Sequence, residues 1–376
     1  MKQHKAAQED IKSINKKLVF RTIAEEAPIS RAGIKKRTNL AATTVSNLVD
    51  EYIEQGLLYE SGLTQTNAVG RRSMMLTLNR DGGFFLVLEV RKDHVASFVF
   101  DLQLGQRQTF SMRYTSESEL YPLLILAIKQ VKEAYPALLS AVVALPALLH
   151  TGQGSAASSV LGFAVNWGEL HTIRKQFEDI QVMFCNTSGL AAYAQTVRYP
   201  QVEHLISVDV SDGVGSGIII DGAIYQGKNG LAGEFGHICM DIHGERCLCG
   251  GRGCLEQYIS IPAILDRIYC CTGSAVSLKE AVSLFQNGNG PVVDVMTSVA
   301  GRMALALNTV ANLFDPELVV ISGEICLFGE LFYHLVTDRL RELSLLGTNR
   351  DVRFVNTEED LVAIGGANFL FDSYFE

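Results

Sequence analysis

From Ile11 to Ile23 the apolar residues Ile11, Ile14, Leu18, Val19 and Ile23 recur at helical spacing, with Lys12, Lys16, Lys17 and Arg21 mostly off their face. This pattern predicts an amphipathic helix. Pro28 ends its approach, and Ser30 is placed to cap a short second helix over 31–37. Thr38-Asn39 then turns the chain into a third helix, where Val45, Leu48, Val49, Tyr52 and Ile53 share the buried face before Gly56 closes it. Leu57 to Leu78 reads as two strands around a loop that carries Gly70, Arg71 and Arg72. Turn residues between Asn79 and Gly83 make the best domain boundary, because a strongly apolar strand starts directly after them.

Beyond Phe84 the period changes. The runs FFLVLEV, HVASFVFDL, SAVVALPALL, QVMFC, LISVDV, GSGIIIDGAI and LVVIS read as strands, with helices expected over 122–134 and 296–314 and a last helix in LVAIGGANFLF. Strands alternating with helices predict an α/β fold, and the pattern by itself supports only a doubly wound sheet. Two units follow: residues 1–80, small and helical with a hairpin, and residues 81–376, α/β.

Charge sharpens that division. Residues 1–80 hold 13 Lys and Arg against 8 Asp and Glu, a net of +5, whereas the remaining 296 hold 19 against 33, a net of −14. A basic front segment attracts an anionic polymer, and an acidic remainder discourages loose wrapping. The residues left outward near the start of the third helix, Thr43, Thr44, Ser46 and Asn47, are small, polar and uncharged, a type that fits against base edges in a major groove. Arg71 and Arg72 suit either insertion into a narrow minor groove or a solvated turn that touches phosphate. Double-stranded DNA is thus the expected partner, and a helical bundle for protein contacts is the alternative. No apolar run approaches a membrane span of about 20 residues, and the first residues lack the apolar core of a signal peptide. A cytoplasmic protein with no membrane partner is expected, and Cys185, Cys239, Cys270, Cys271 and Cys326 read as reduced core thiols.

The stretch from Gly233 to Glu256, GEFGHICMDIHGERCLCGGRGCLE, carries the clearest chemistry. Cys247, Cys249 and Cys254 follow His237, so that one imidazole and three thiolates suffice for a tetrahedral zinc site. Gly250, Gly251 and Gly253 let the backbone turn between the sulfurs. His243 is the rival imidazole, and unrelated buried thiols are the plain alternative.

Glu-Phe-Gly-His followed by Cys-x-Cys-Gly-Gly-x-Gly-Cys-Leu-Glu resembles the signature of the ROK family of sugar kinases and sugar-responsive repressors. ISRAGIKKRTNLAATTVSNLVDEYIEQGLL is similar to the amino-terminal domain of ROK repressors. The resemblance covers nearly the whole chain. It implies a winged helix-turn-helix over 1–80, with Ser30 and Arg31 at its second helix, followed by the two-lobed actin-like ATPase fold of sugar kinases over 81–376. It also implies zinc on His237, Cys247, Cys249 and Cys254, and a sugar pocket using Asn166, Asn186, Glu234, His237 and Glu256. One departure concerns the third helix: Ala41 stands where a capping serine is usual, which moves the expected cap to Thr43.

Kinases of the family carry a glycine-containing loop after the first strand of the lobe and an Asn-Asp pair whose aspartate is the general base. Here Glu89 to His94 holds no glycine and reads as an ordinary hairpin end, and the pair is Asn186-Thr187. A threonine hydroxyl does not serve as a general base near neutral pH. The expectation is therefore a transcriptional repressor of sugar genes and not an enzyme, acting as a homodimer or a tetramer, with an active hexose or amino-sugar kinase as the alternative. A constitutive DNA-binding protein with the ROK body as an oligomerisation module is the third reading. Trp167 is expected either to stack on a sugar ring or to pack under a loop, and Gly213 to Gly217, beside Asp209 and Asp212, to be either a phosphate loop or a tight strand connection.

Overall fold

The computed structural model describes residues 2–63, 73–147, 155–156, 158, 160–345, 351–355 and 359–374. The chain opens with α1 (Lys2–Glu26), followed by β1 (Ile29–Ser30), α2 (Arg31–Thr38), α3 (Ala42–Glu54), β2 (Leu58–Leu63) and β3 (Met74–Leu78). The three strands form an antiparallel sheet in the order β1-β3-β2. Ser30 caps α2 by accepting a 3.2 Å hydrogen bond from the Gly33 N–H, and Asn39, left-handed at φ 56°, ends that helix. The cap expected at Thr43 is not found. Ala41 takes the N-cap position of α3 with no side-chain hydrogen bond, and the helix is held instead by Val45, Leu48, Val49 and Tyr52, which are buried as expected. Tertiary burial of four such side chains outweighs a missing cap, worth about 1 kcal/mol.

The face expected for α1 is covered only in part. Val19, Phe20 and Ile23 are buried, but Ile11 and Ile14 are 57% and 64% exposed. Beyond the 2.9 Å hydrogen bond from the Tyr52 hydroxyl to the Lys16 carbonyl, α3 meets α1 through charge, with Glu51 3.9 Å from Lys12 Nζ, and that contact does not cover the two isoleucines.

The larger unit contains one topology twice. In the first lobe β4 (Phe84–Val90), β5 (His94–Asp101) and β6 (Gln106–Arg113) run antiparallel, α4 (Glu117–Ala134) crosses over to β7 (Leu138–Leu145), and β8 (Ser155–Ala156) pairs with β9 (Val165–Asn166). α5 (Trp167–Gln176) then leads to β10 (Gln181–Asn186), giving the sheet order β10-β7-β4-β5-β6 with β4, β7 and β10 parallel. In the second lobe α6 (Thr187–Arg198) precedes the antiparallel β11 (Leu205–Val210), β12 (Val214–Ile220) and β13 (Ala223–Ile224). There follow α7 (Glu256–Ile259), α8 (Ile261–Thr272), α9 (Leu278–Gln286), α10 (Gly290–Phe314), β14 (Leu318–Ser322), α11 (Gly329–Leu343), β15 (Val352–Phe354) and α12 (Leu361–Tyr374). Its sheet order is β13-β12-β11-β14-β15, the same succession of hairpins and parallel neighbours.

Several boundaries differ from expectation. α4 starts at Glu117 with Pro122 inside it, where the proline removes one backbone hydrogen bond, and the helix is held by the buried Leu120, Tyr121, Leu124, Ala127, Ile128 and Val131. α10 starts at Gly290, where Asn289 accepts from the Val292 N–H and a proline stands in the first turn. α10 is the one helix among the described residues long and apolar enough to cross a membrane, and half of that apolar stretch is buried in the second-lobe core. Of the five remaining cysteines Cys185 and Cys326 are buried, but Cys239, Cys270 and Cys271 are exposed, so the expectation of five core thiols holds for two.

The two units share a core. Phe20 of α1 packs on Tyr52 at 5.1 Å and on Phe371 of α12 at 5.5 Å, and Phe371 in turn meets Phe85 of β4 at 6.0 Å between ring centroids. Beside these rings Arg21 grips Asp372 through Nε at 2.9 Å and Nη2 at 2.7 Å, while the Tyr193 hydroxyl of α6 donates to the other Asp372 oxygen. α6 and α12 lie so close that a Cβ on Gly365 would stand 1.8 Å from the Leu190 carbonyl oxygen. The helix that opens in the second lobe is thereby one helix away from the amino-terminal domain.

Candidate functional site

His237 ends a short helical turn, Phe235–His237, and Cys247, Cys249 and Cys254 sit on the loop that follows. Backbone hydrogen bonds fold that loop on itself: Met240 N–H to Gly253 O at 2.7 Å, Gly253 N–H to Glu245 O at 2.8 Å and Leu255 N–H to Ile238 O at 2.9 Å. Gly253 is required here, since its φ is +60° and a Cβ would stand 1.8 Å from the Asp241 carbonyl. The result brings the four candidate ligand atoms within 4.8 Å of one another, with His237 Nδ1 3.7 Å from Cys247 Sγ and Cys249 Sγ 3.6 Å from Cys254 Sγ. A tetrahedral zinc with bonds of about 2.3 Å to sulfur and about 2.0 Å to nitrogen has edges of about 3.6–3.8 Å, so the residues fit that ion. His243 stands apart and exposed, its N–H bonded to Asp241 Oδ1 at 2.9 Å, so geometry selects His237.

This cluster forms one wall of a cleft of about 560 Å3. Asn186 and Thr187 enter it from the end of β10 and the start of α6, and Glu234, His237 and Glu256 from the cysteine loop. In α/β folds the crevice outside the carboxyl ends of parallel strands is the usual ligand site. Asn186 accepts from the Ser188 N–H at 2.8 Å and donates to the Ala147 carbonyl at 3.0 Å, which fixes its amide. Glu256 accepts from the Val214 N–H at 2.9 Å. Burial, then the neighbouring Glu256 carboxylate, pushes the Glu234 carboxyl up to about 7. Its Oε2 lies 3.9 Å from His237 Nε2, the ring nitrogen facing away from the sulfurs.

Asn166 is the one proposed sugar contact that the cleft does not include. Its side chain is used to cap α5, accepting from the Gly168 N–H at 2.8 Å. Trp167 does not line this cleft but a neighbouring depression of about 130 Å3, and it meets Phe184 edge-on at 6.5 Å. Sequence reasoning had given little weight to Asp209, Ser211 and Asp212, which also line the cleft. Asp209 accepts from Ser211 Oγ at 2.9 Å and Ser322 Oγ at 3.1 Å, and burial raises its pKa. An Asp-x-x-Asp immediately before a glycine-rich strand was the available signal.

At the β4–β5 hairpin Arg91 Nη2 meets Glu89 Oε2 at 2.6 Å and also pairs with Asp360, just before α12. Charged side chains occupy the end of the hairpin where a phosphate loop would need bare backbone. In the amino-terminal domain Thr43 and Asn47 are exposed and Thr44 and Ser46 half-buried. Arg31 is engaged internally, with Nη2 2.7 Å from Asp50 and Nη1 3.3 Å from the Ser46 carbonyl, so it braces α2 on α3. Arg71 and Arg72 lie outside the described residues.

Comparison with known proteins matches residues 86–372 to the profile described as the ROK family. The xylose repressor of Caldicellulosiruptor bescii is 28% identical over 360 residues, 89% of each chain. Among solved structures a ROK family transcriptional regulator, described as a homologue of the E. coli MLC protein, superposes with a TM-score of 0.83 at 25% identity, over 97% of this chain and 98% of that one. The ROK hexokinase of Thermus thermophilus aligns with a TM-score of 0.64 at 21% identity, covering 76% of this chain and 97% of the hexokinase; this likeness shows the actin-like fold.

Proposed function

The chain belongs to the ROK family, and from that membership we propose that it is a DNA-binding transcriptional repressor of carbohydrate-metabolism genes, governed by a sugar or sugar derivative in the cleft. What supports this reading is one core that joins the amino-terminal helices to the larger unit, together with a cleft lined by Asn186, Thr187, Glu234 and Glu256, where the resemblance to the family's kinases implies an aspartate at position 187.

In this reading residues 1–80 are a winged helix-turn-helix and 81–376 the sensing body. Thr43, Thr44, Ser46 and Asn47 enter a major groove, Ser30 and Arg31 steady the second helix over the phosphates, and Arg71 and Arg72 belong to the wing. Two copies of the chain read two half-sites about one helical turn apart. Zinc held by His237, Cys247, Cys249 and Cys254 is structural, and its one contribution is to fix the loop that carries Glu234 and Glu256. Sugar hydroxyls then hydrogen-bond to Asn186, Glu234 and Glu256, with His237 Nε2 as a further partner. Closure of the lobes moves α6, and α12 passes the movement to α1.

Fluorescence anisotropy with the chain's own promoter DNA tests this. Specific binding about 1,000-fold tighter than to random duplex at the same salt is expected, with Asn47→Ala costing about 1–3 kcal/mol. Binding no tighter than to random DNA overturns the proposal. Phosphotransfer is a separate matter. With no base at Thr187 and the hairpin end occupied by Arg91 and Glu89, a coupled ADP-release assay over hexoses and amino sugars should stay at background. Turnover that disappears in Glu234→Gln would restore the kinase reading.

A further inference from the structure

We propose that Cys239 is an oxidation site: a hydroperoxide oxidises its thiol, which then joins Cys254 in a disulfide and withdraws that ligand from the metal. Release of the ion rests on the zinc reading above, whereas formation of the disulfide does not.

Five cysteines lie outside the proposed ligand set. Cys185 and Cys326 are buried, and Cys270 and Cys271 are neighbours near the end of α8. Cys239 is the one on the cysteine loop itself, and it is exposed. Its backbone partner is Cys254, in an antiparallel bridge between the two arms of that loop. The hydrogen bonds beside the bridge decide its kind. The Met240 N–H donates to Gly253 O at 2.7 Å and the Leu255 N–H to Ile238 O at 2.9 Å, so the bonds join the flanking residues and not the two cysteines. Residues opposed in this way have Cα atoms about 4.5 Å apart, closer than in hydrogen-bonded pairs, with side chains on the same face. Disulfides span Cα separations of about 4.4–6.8 Å, so the backbone already holds the pair within bonding reach. Gly253, where a Cβ would run into the Asp241 carbonyl, keeps the arms at that spacing.

Exposure sets the order of events. Cys254 is 2% exposed, and its sulfur converges with those of Cys247 and Cys249 on His237, while Cys239 stands outside that group. Oxidation follows access, so the exposed thiol is the first target. The hydroperoxide gives one oxygen atom to Cys239 Sγ, which becomes a sulfenic acid, and is itself reduced to an alcohol, or to water when it is hydrogen peroxide. The Cys254 sulfur then attacks Cys239 Sγ. An S–S bond forms, the S–O bond breaks, and the oxygen departs as water with a proton taken from solvent. His237, Cys247 and Cys249 remain, three donors where a structural zinc takes four. The order of the loop that bears Glu234 and Glu256 thus becomes answerable to oxidant.

The test treats the full-length, reduced, zinc-loaded protein with hydrogen peroxide, follows zinc release with a colorimetric chelator, and maps disulfides by mass spectrometry after thiol blocking. One zinc per chain should be freed as the Cys239 and Cys254 peptides become joined, and dithiothreitol with added zinc should reverse both changes. Cys239→Ser, which alters no ligand, should lose its zinc at least about tenfold more slowly under the same oxidant. A disulfide that instead joins Cys249 to Cys254, whose sulfurs are 3.6 Å apart, overturns the inference, as does a Cys239→Ser protein that releases zinc as fast as the parent. A protein that holds no zinc before oxidant is added defeats the zinc reading and the release step with it, and the peptide map then decides the disulfide alone.

Discussion

Cys254→Ser should yield a protein without bound metal, with its helix-turn-helix folded and its response to sugar gone. Cys254 is buried and bridges by backbone to Cys239, so its sulfur lies where two arms of the loop cross. Structural zinc contributes about 10–16 kcal/mol of apparent binding energy in small zinc domains, and an ion on these four ligands would spend it on ordering the backbone from Gly233 to Glu256. Glu234 and Glu256 lie at the two ends of that stretch, so freeing it disperses the pocket's acceptors. The amino-terminal core of Val19, Phe20, Ile23, Val45 and Leu76 touches none of it. Metal content by native mass spectrometry, sugar-dependent melting and promoter binding check the three parts separately. One zinc per chain with an undiminished sugar response in the variant would contradict the assignment of these ligands.

The second large effect is expected where the units meet. Phe20→Ala removes a fully buried ring from between Tyr52 and Phe371, at a cost of about 3–5 kcal/mol. Asp372→Asn is milder: it keeps the shape but takes the charge from Arg21 and weakens the acceptor for Tyr193. Sugar binding should survive both variants, because neither residue lines the cleft. What should collapse is the ratio of promoter affinities with and without sugar, typically a coupling of about 1–3 kcal/mol. Asp372→Asn should bring that ratio towards one while Tyr193→Phe has a smaller effect in the same direction. An unchanged ratio in Asp372→Asn means that the signal travels elsewhere, through the hairpin or a partner subunit.

What was legible in the chain followed from locality. His237, Cys247, Cys249 and Cys254 lie within one short stretch, so their spacing constrains them directly, and β4, β7 and β14 are buried almost throughout and read as continuous apolar runs. β6 was missed because it is an edge strand whose residues are mostly exposed, leaving no alternation to detect. An apolar stripe tells which face of a helix is oily, not whether anything covers it, and so Ile11 and Ile14 were expected in a core that stops short of them. Arg31 carries the right charge for DNA, but Asp50 on the next helix holds it, a pairing that depends on how α2 and α3 cross. Asp209 and Asp212 approach Glu234 and Glu256 only once β11 and β12 are paired, which no local spacing reveals.

The clasp between Arg21 and Asp372 joins residues 351 positions apart. On a ribosome adding roughly 5–20 residues per second, the amino-terminal helices emerge about 20–70 s before α12 exists to receive them. Throughout that interval the ring of Phe20 lacks its Phe371 neighbour, and a chain broken off anywhere before α12 keeps it so. Such a fragment carries every residue that would touch an operator but not the seat that orients them. Until α12 arrives, the apolar face around Phe20 stays uncovered and open to the chaperones and proteases that act on such surfaces.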